Sequence, residues 1–317
     1  MPSLSKWVGT IHAENSVAEA AQATLKLRLA TVVHFLRLAA DQVDKTPEHV
    51  HQLRVSTRRS LAALAMYEEV LPAKRATWFR KQLRRIRRAA GDARDLDVLL
   101  QRYEKDRGSY HKKFLRQVKK RRRKAQRPIV KLNSRLISSH RFETHVDRLL
   151  ASIVSDTASG NRPLGQWARS RLASVSTRFF QSLPKHTNDL IELHRFRVRG
   201  KQLRYAMELF STLFPPDFRT SLYPLVAQLQ DRLGEVNDHA TARQHLIKWS
   251  EKTGSRRRAE YLRGLTRRES ELLEKSIEKF TQWWTPSFAR RLEASFAALT
   301  NGRSISPPVD QSDMFQQ

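Results

Sequence analysis

A five-residue pattern occurs twice in this chain. His51, Gln52, Leu53, Arg54 and Val55 return 143 positions later as His194, Arg195, Phe196, Arg197 and Val198. At that offset, without a gap, Arg58 falls on Lys201, Tyr67 on Phe210, Pro72 on Pro215, Ile86 on Leu229, Gly91 on Gly234 and Asp95 on Asp238. Upstream, Leu29, Ala30 and Val32 fall on Leu172, Ala173 and Val175. Chance does not readily match Pro, Gly and His together at one spacing. The chain therefore reads as two copies of one unit.

The unit is helical. Gly is scarce, Pro falls between segments, and the body is rich in Ala, Leu, Arg, Lys and Glu, which form helices readily. Apolar residues recur at three and four, as in Leu25, Leu29, Val32 and Leu36, or Leu61, Leu64 and Leu71, or Leu222, Leu225, Leu229 and Leu233. No run alternates as a strand would. Pro47, Pro72, Pro163, Pro184, Pro215 and Pro216 punctuate the pattern. Eight helices are expected, over 14–44, 48–71, 74–106, 109–155, 164–183, 188–213, 217–250 and 255–299, with Pro286 a point where the eighth can break. Short turns between long helices make antiparallel bundles. The expected fold is all-α, two antiparallel four-helix bundles related by an internal pseudo-two-fold repeat, followed by a disordered tail over 301–317.

Charge narrows the function. The 317 residues hold 60 Lys and Arg against 31 Asp and Glu, a formal charge of +29. Solubility needs far less, and self-repulsion on this scale destabilises a compact state unless anions offset it. Nucleic acid, an acidic surface or another phosphate polymer are the usual partners. There is no cysteine, which excludes a disulfide framework, a Cys-ligated zinc and a thiol nucleophile. Residues 1–17 carry no basic patch followed by a long apolar stretch, so neither a signal peptide nor membrane insertion is expected.

The basic residues form stripes. In the second copy, His194, Arg197, Lys201 and Arg204 fall within roughly 80° of one helix surface, beside an apolar face of Leu193, Phe196, Leu203, Met207 and Phe210. The first copy repeats the stripe with His51, Arg54 and Arg58; Leu61 stands where Arg204 would, and Arg59 sits to one side. Apart from Glu208, four residues after Arg204, neither stripe has the acids at i+4 that accompany bases on a solvated helix, which points to a missing anion. The next helix adds Arg84 and Arg88, able to face the groove of Arg54 and Arg58, but their counterparts are Ala227 and Asp231. A further run over 108–135 holds twelve Lys or Arg and no acid. It winds right round its helix and reads equally as extra polyanion attachment or as a solvated helix.

The motifs H-x-x-R-V-x-x-x-R at His51, H-x-x-R-V-x-x-K-x-x-R-Y at His194 and G-x-x-R-D-L-D-V at Gly91 closely resemble the conserved histidine α-helical domain family, CHAD. The resemblance spans 12–300, with one bundle over 12–158 and the other over 162–300. It implies two four-helix bundles around a central basic cavity that holds inorganic polyphosphate, and a cytoplasmic place at polyphosphate granules. The polyphosphate-binding residues it marks are His51, Arg54, Arg58 and Arg59, then Arg84, Arg88 and Arg94, and His194, Arg197, Lys201 and Arg204. Leu61, and Asn237 in the place of Arg94, depart from strict two-fold equivalence.

The chemistry fits that implication independently. Polyphosphate offers about one charge per phosphate and many acceptor oxygens, for which arginine forks are suited. It has no bases and needs none of the aromatic platforms of single-strand binders. Nucleic acid, held through non-specific charge, is the second reading, although no helix-turn-helix, zinc finger or RNA-binding signature is present. A phosphotransferase or polyphosphate hydrolase using the paired histidines is the third. No catalytic residue, cofactor or metal is expected: His49 and His51 splay apart on a helix, and Asp92 and Asp97 match Glu235 and Ala240. Asp95 is expected to orient nearby arginines or to bond to a helix end, Gly91 and Gly234 to allow close helix contact, and Trp283 and Trp284 to lie in the core or an interface. Composition does not fix the oligomeric state.

Overall fold

The computed structural model describes residues 5–41, 47–106, 110–154 and 158–303. Most of the expected tail, 304–317, lies outside the described residues. Among those described the chain is all-α. It has ten α-helices and no strand, apart from one isolated bridge between Ser16 and Pro163. The ten are α1 Val17–Asp41, α2 Pro47–Met66, α3 Ala73–Tyr103, α4 His111–Asn133, α5 Arg141–Leu150, α6 Leu164–Phe180, α7 Leu190–Phe210, α8 Tyr223–Glu251, α9 Arg256–Trp283 and α10 Pro286–Thr300.

Ten replace the expected eight because two long helices each divide. The helix expected over 109–155 loosens into a π-helical turn at Ser134–Ser138 and then reverses at His140, whose φ of 53° is left-handed. Histidine tolerates that region better than most side chains, but no helix propagates through it. The last helix ends at Trp284, and α10 restarts with Thr285 capping Phe288 N–H and Pro286 in the first turn. Other starts follow the same chemistry. Ser16 and Glu19 form a reciprocal capping box on α1. Asp189 accepts from the amides of Ile191 and Glu192 at α7, and Ser255 from Arg258 at α9.

The chain divides into two compact units, 1–167 and 168–317. In the first, α1 packs on α2, α4 and α5, and α3 packs on α2 and α4. Leu25, Leu29, Val32 and Leu36 are all buried, as their spacing requires. This unit extends to Trp167 because segment 160–167 is tied to the chain's beginning. The amides of Val17 and Ala18 donate to the carbonyls of Arg162 and Gly160, and those of Leu164 and Gly165 to Asn15 and Ala13. Trp167 stacks on the buried Tyr67, with ring centroids 5.2 Å apart.

A polar link also holds the first core. Asp97 of α3 accepts from Arg122 Nε of α4 at 2.6 Å, Arg122 donates to Gln126, and Gln126 donates to the carbonyl of Ala39. Asp97 and Arg122 are 4% and 11% exposed, so this is a buried ion pair. Burial pushes the Asp97 carboxyl above its ordinary range, against the opposing pull of Arg122 and Arg94. Arg122 therefore leaves the solvated basic run, whereas Lys119, Lys120, Arg121, Arg123 and Lys124 are exposed around it.

In the second unit, α8 packs on α7 and α9. Phe179 of α6 stacks on Phe196 of α7 at 4.8 Å, and Phe180 meets Phe296 of α10 edge-on. Trp283 and Trp284 are buried among these rings. Leu193, Phe196, Leu203, Met207 and Phe210 are all buried, which turns the other side of α7 outward. The close approach lies at Gly200, where a Cβ would collide with the side chain of Gln230. Around Gly234, expected to serve that purpose, a Cβ would meet nothing.

Candidate functional site

In the first unit, α2 and α3 bring a basic cluster together. Leu53, Ser56 and Ser60 of α2 are buried, so His51, Arg54 and Arg58 face the other way and are half-buried. Arg54 is the centre. Its Nη1 lies 3.4 Å from Asp95 Oδ1 on α3, an ion pair of loose geometry. It also passes close over Gly91, where a Cβ would stand 3.1 Å away. Asp95 thus orients an arginine, as its place beside the motif suggests, and Gly91 admits a guanidinium rather than a helix backbone.

The electrostatics of this cluster are unfavourable as it stands. Burial, then Arg58, Arg94 and Arg87, lower the pKa of Arg54, and Asp95 alone opposes them. His51 is also held below its ordinary value, first by burial, then by Arg94, Arg54 and Arg58, with Glu48 opposing. At Arg54 one carboxylate, Asp95, is set against three arginines. Elsewhere in the same unit arginines do find acids: Arg80 meets Glu68 at 2.7 Å, and Arg162 meets Glu69 at 2.7 Å.

The expected residues do not all join this cluster. Arg94 does, through its effect on both His51 and Arg54. Arg84 and Arg88 are exposed on α3, and it is Arg87 that bears on Arg54. Arg87 stands one helical turn before Gly91, a register from which it could have been picked out. Arg59 lines a small recess on the α1 side of α2 with Ser5, Arg28, Thr31 and Phe35, about a quarter-turn from the stripe of His51, Arg54 and Arg58.

In the second unit, His194 is exposed on α7, and its Nδ1 lies 3.3 Å from Asn237 Oδ1 on α8. Asn237 in turn donates to Thr241 at 3.3 Å. His194 therefore meets the residue 143 positions after Arg94, and His51, 143 positions before His194, feels Arg94 itself. Arg197 and Lys201 are half-buried on the same face of α7.

Arg204 belongs to an internal arrangement. Its Nε is 3.7 Å from Oε1 of the buried Glu208, which accepts from Tyr223 Oη at 2.9 Å. Burial disfavours the Arg204 charge, but Tyr205, Glu208 and Tyr223 outweigh it and raise its pKa above the ordinary arginine value. Its guanidinium also sits over the Tyr205 ring.

Among the described residues no group of three His, Asp or Glu side chains could hold a metal ion, and no helix is long and apolar enough to cross a membrane. A buried pair, His239 Nδ1 and Glu269 Oε2 at 2.8 Å, joins α8 to α9.

Comparison with known proteins agrees with this architecture. The family model of the CHAD domain matches residues 23–247. No curated protein matches the chain. Among solved structures, the CHAD domain from the plant Ricinus communis superposes with a TM-score of 0.68 at 21% identity, covering 93% of this chain and 96% of that one. PptA from Streptomyces chartreusis superposes with a TM-score of 0.57 at 18% identity, covering 84% of this chain and 99% of that one. At these identities the two structures speak for the fold. CHAD domains are linked in general to polyphosphate. With well over half of its length matched and an all-α architecture in common, this chain belongs to the CHAD domain family.

Proposed function

We propose that the chain binds inorganic polyphosphate along the basic faces of α2, α3 and α7, as a granule-associated protein of the cytoplasm that does no chemistry on its ligand. The observation that carries this reading is the crowding around Arg54, on which Arg58, Arg94 and Arg87 act together against Asp95. A bound polyanion would relieve that repulsion and accept charge-assisted hydrogen bonds from partly desolvated guanidiniums. On this reading the two units are copies of a four-helix bundle related by a pseudo-two-fold axis. The contact of His194 with Asn237, and the influence of Arg94 on His51, are the corresponding neighbours in each copy.

The site residues are then His51, Arg54, Arg58 and Arg94 with Arg87, and His194, Arg197 and Lys201. Arg84 and Arg88 serve as an exposed approach. Arg59 and Arg204 act from beside the face, Arg204 by holding α7 through Glu208. Nucleic acid remains the competing ligand, favoured by the exposed bases of α4. Competition among long-chain polyphosphate, RNA and duplex DNA at one salt concentration tests the choice. Polyphosphate should displace RNA at equal phosphate, and binding should weaken steeply with salt as counterions are released. If RNA or DNA wins, the nucleic-acid reading replaces this one. With magnesium, with or without nucleotide, polyphosphate chain length should stay constant over hours. Release of phosphate that is lost on His51→Ala or His194→Ala would make the protein an enzyme.

A further inference from the structure

A second basic recess lies in the second unit, on the side of α7 turned away from His194, Arg197 and Lys201. Arg195 and Arg199, one turn apart on α7, line it with Arg178 of α6 and Lys185 of the connecting loop. Its volume is about 300 Å³. Four cations meet one carboxylate, Glu192, so the recess carries 4 − 1 = +3. Glu192 spends its Oε2 on the backbone amides of Lys185 and His186, at 2.8 and 3.1 Å, rather than on a side-chain cation. Arg178 donates to Ser174 of its own helix, and Arg199 to Gln202. Among the described residues, none of the four cations has a carboxylate within 4.0 Å.

The first unit treats the matching place differently. At the offset of 143, Arg178, Arg195 and Arg199 fall on Phe35, Gln52 and Ser56. Those three line the small recess that holds Arg28 and Ser5. There the chain's own beginning fills the space, with Arg28 donating to the carbonyls of Ser5 and Lys6. In the second unit three basic side chains replace an aromatic ring, an amide and a hydroxyl, and no segment among the described residues fills the recess.

We infer that this recess is a separate binding site for a short inorganic phosphate anion of the size of triphosphate. Arginines that have no carboxylate partner and line one recess offer forked donors suited to the acceptor oxygens of such an ion. Ser182 at the rim adds a hydroxyl, although that hydroxyl is engaged with the carbonyl of Phe179. Among the described residues no aromatic ring lines the recess to stack a nucleoside base, which favours the inorganic ion over a nucleotide carrying the same triphosphate.

The test is calorimetric titration of the full chain with sodium tripolyphosphate, with ATP as the second arm. Arg195→Gln/Arg199→Gln should remove one class of tripolyphosphate site, weakening it about tenfold or more, since two charge-assisted hydrogen bonds are lost. Long-chain polyphosphate binding should change less than about threefold, because the opposite face of α7 is untouched. Arg54→Ala/Arg58→Ala should do the reverse, so failure of the long-chain site and failure of this one are distinguishable. Lys119→Gln/Lys120→Gln removes the same charge from an exposed helix and should preserve both classes. Circular dichroism checks that each variant is folded, and Arg178→Gln gives a second route to the same loss. Unchanged stoichiometry in the Arg195/Arg199 variant, or an equal loss in the Lys119/Lys120 control, overturns the site. ATP binding tenfold more tightly than tripolyphosphate overturns the assignment to an inorganic ion.

Discussion

Arg54 crosses α3 over Gly91, its Nη1 only 3.1 Å from the point where a side chain at Gly91 would begin. The absent Cβ lets the guanidinium reach Asp95 on the next turn, 3.4 Å away. Gly91→Ala should therefore separate folding from binding. Alanine favours the helix by about 1 kcal/mol over glycine. The contact is with the flexible end of a side chain, which can move aside. The melting temperature should hold or rise, while polyphosphate affinity should fall several-fold as Arg54 is displaced. Thermal unfolding and a binding titration on one preparation check both. An unchanged affinity would mean that the position of Arg54 does not matter.

The chain has 60 Lys and Arg, and a charge-only account makes them interchangeable. Arg54→Ala/Arg58→Ala/Arg197→Ala and Lys119→Ala/Lys120→Ala/Arg121→Ala each remove three positive charges. The first set is half-buried, the second exposed. Exposed charges are hydrated and screened. Charged hydrogen bonds at the sheltered face are worth roughly 1.5–3 kcal/mol each, so the first set should weaken polyphosphate binding at least tenfold more. Equal losses in two folded variants would leave charge density as the cause.

His51 gives the binding a pH dependence. Burial and the neighbouring Arg94, Arg54 and Arg58 hold its pKa below the ordinary 6.5, so it is neutral in the free protein near pH 7. A bound anion opposes those influences and raises the pKa. Affinity should then increase as pH falls toward and below 6.5, with proton uptake on binding. Without ligand the sign reverses for stability. The folded state holds the proton less tightly than the unfolded one, so the stability present above 6.5 is lost as pH falls through the folded value. His51→Gln should flatten both profiles. Melting curves against pH, with and without polyphosphate, show whether the two slopes oppose each other.

Arg122 should behave unlike its neighbours in the basic run. Arg122→Ala leaves Asp97 buried and unpaired, as Asp97→Asn leaves Arg122, and either change should cost about 3 kcal/mol. An apolar pair, Asp97→Leu/Arg122→Met, should recover much of the loss. Polyphosphate affinity of the folded double variant should stay close to that of the parent. A large fall in affinity would place Arg122 on the ligand instead.

Several features were legible in the sequence because they depend on local spacing. Helical class follows from apolar recurrence at three and four, and Leu25, Leu29, Val32, Leu36 and the apolar face of α7 are buried as that recurrence requires. The stripes of His51, Arg54 and Arg58, and of His194, Arg197 and Lys201, follow from helix geometry alone. The family followed from motifs that keep their spacing. What sequence could not decide depends on which side chain a neighbouring helix presents. Arg87 rather than Arg84 or Arg88 bears on Arg54, because α3 turns its Gly91 toward α2. Arg122 looks like its five basic neighbours in sequence, and only the packing of α4 on α3 sets it against Asp97. Arg204 continues the stripe in sequence, but Glu208, four residues on in the same helix, is buried beneath Tyr223 of α8 and draws it inward. Periodicity fixes the direction in which a residue leaves its own helix. Pairing with a buried charge depends on the distance and register between two helices, and those are set by how the apolar faces pack.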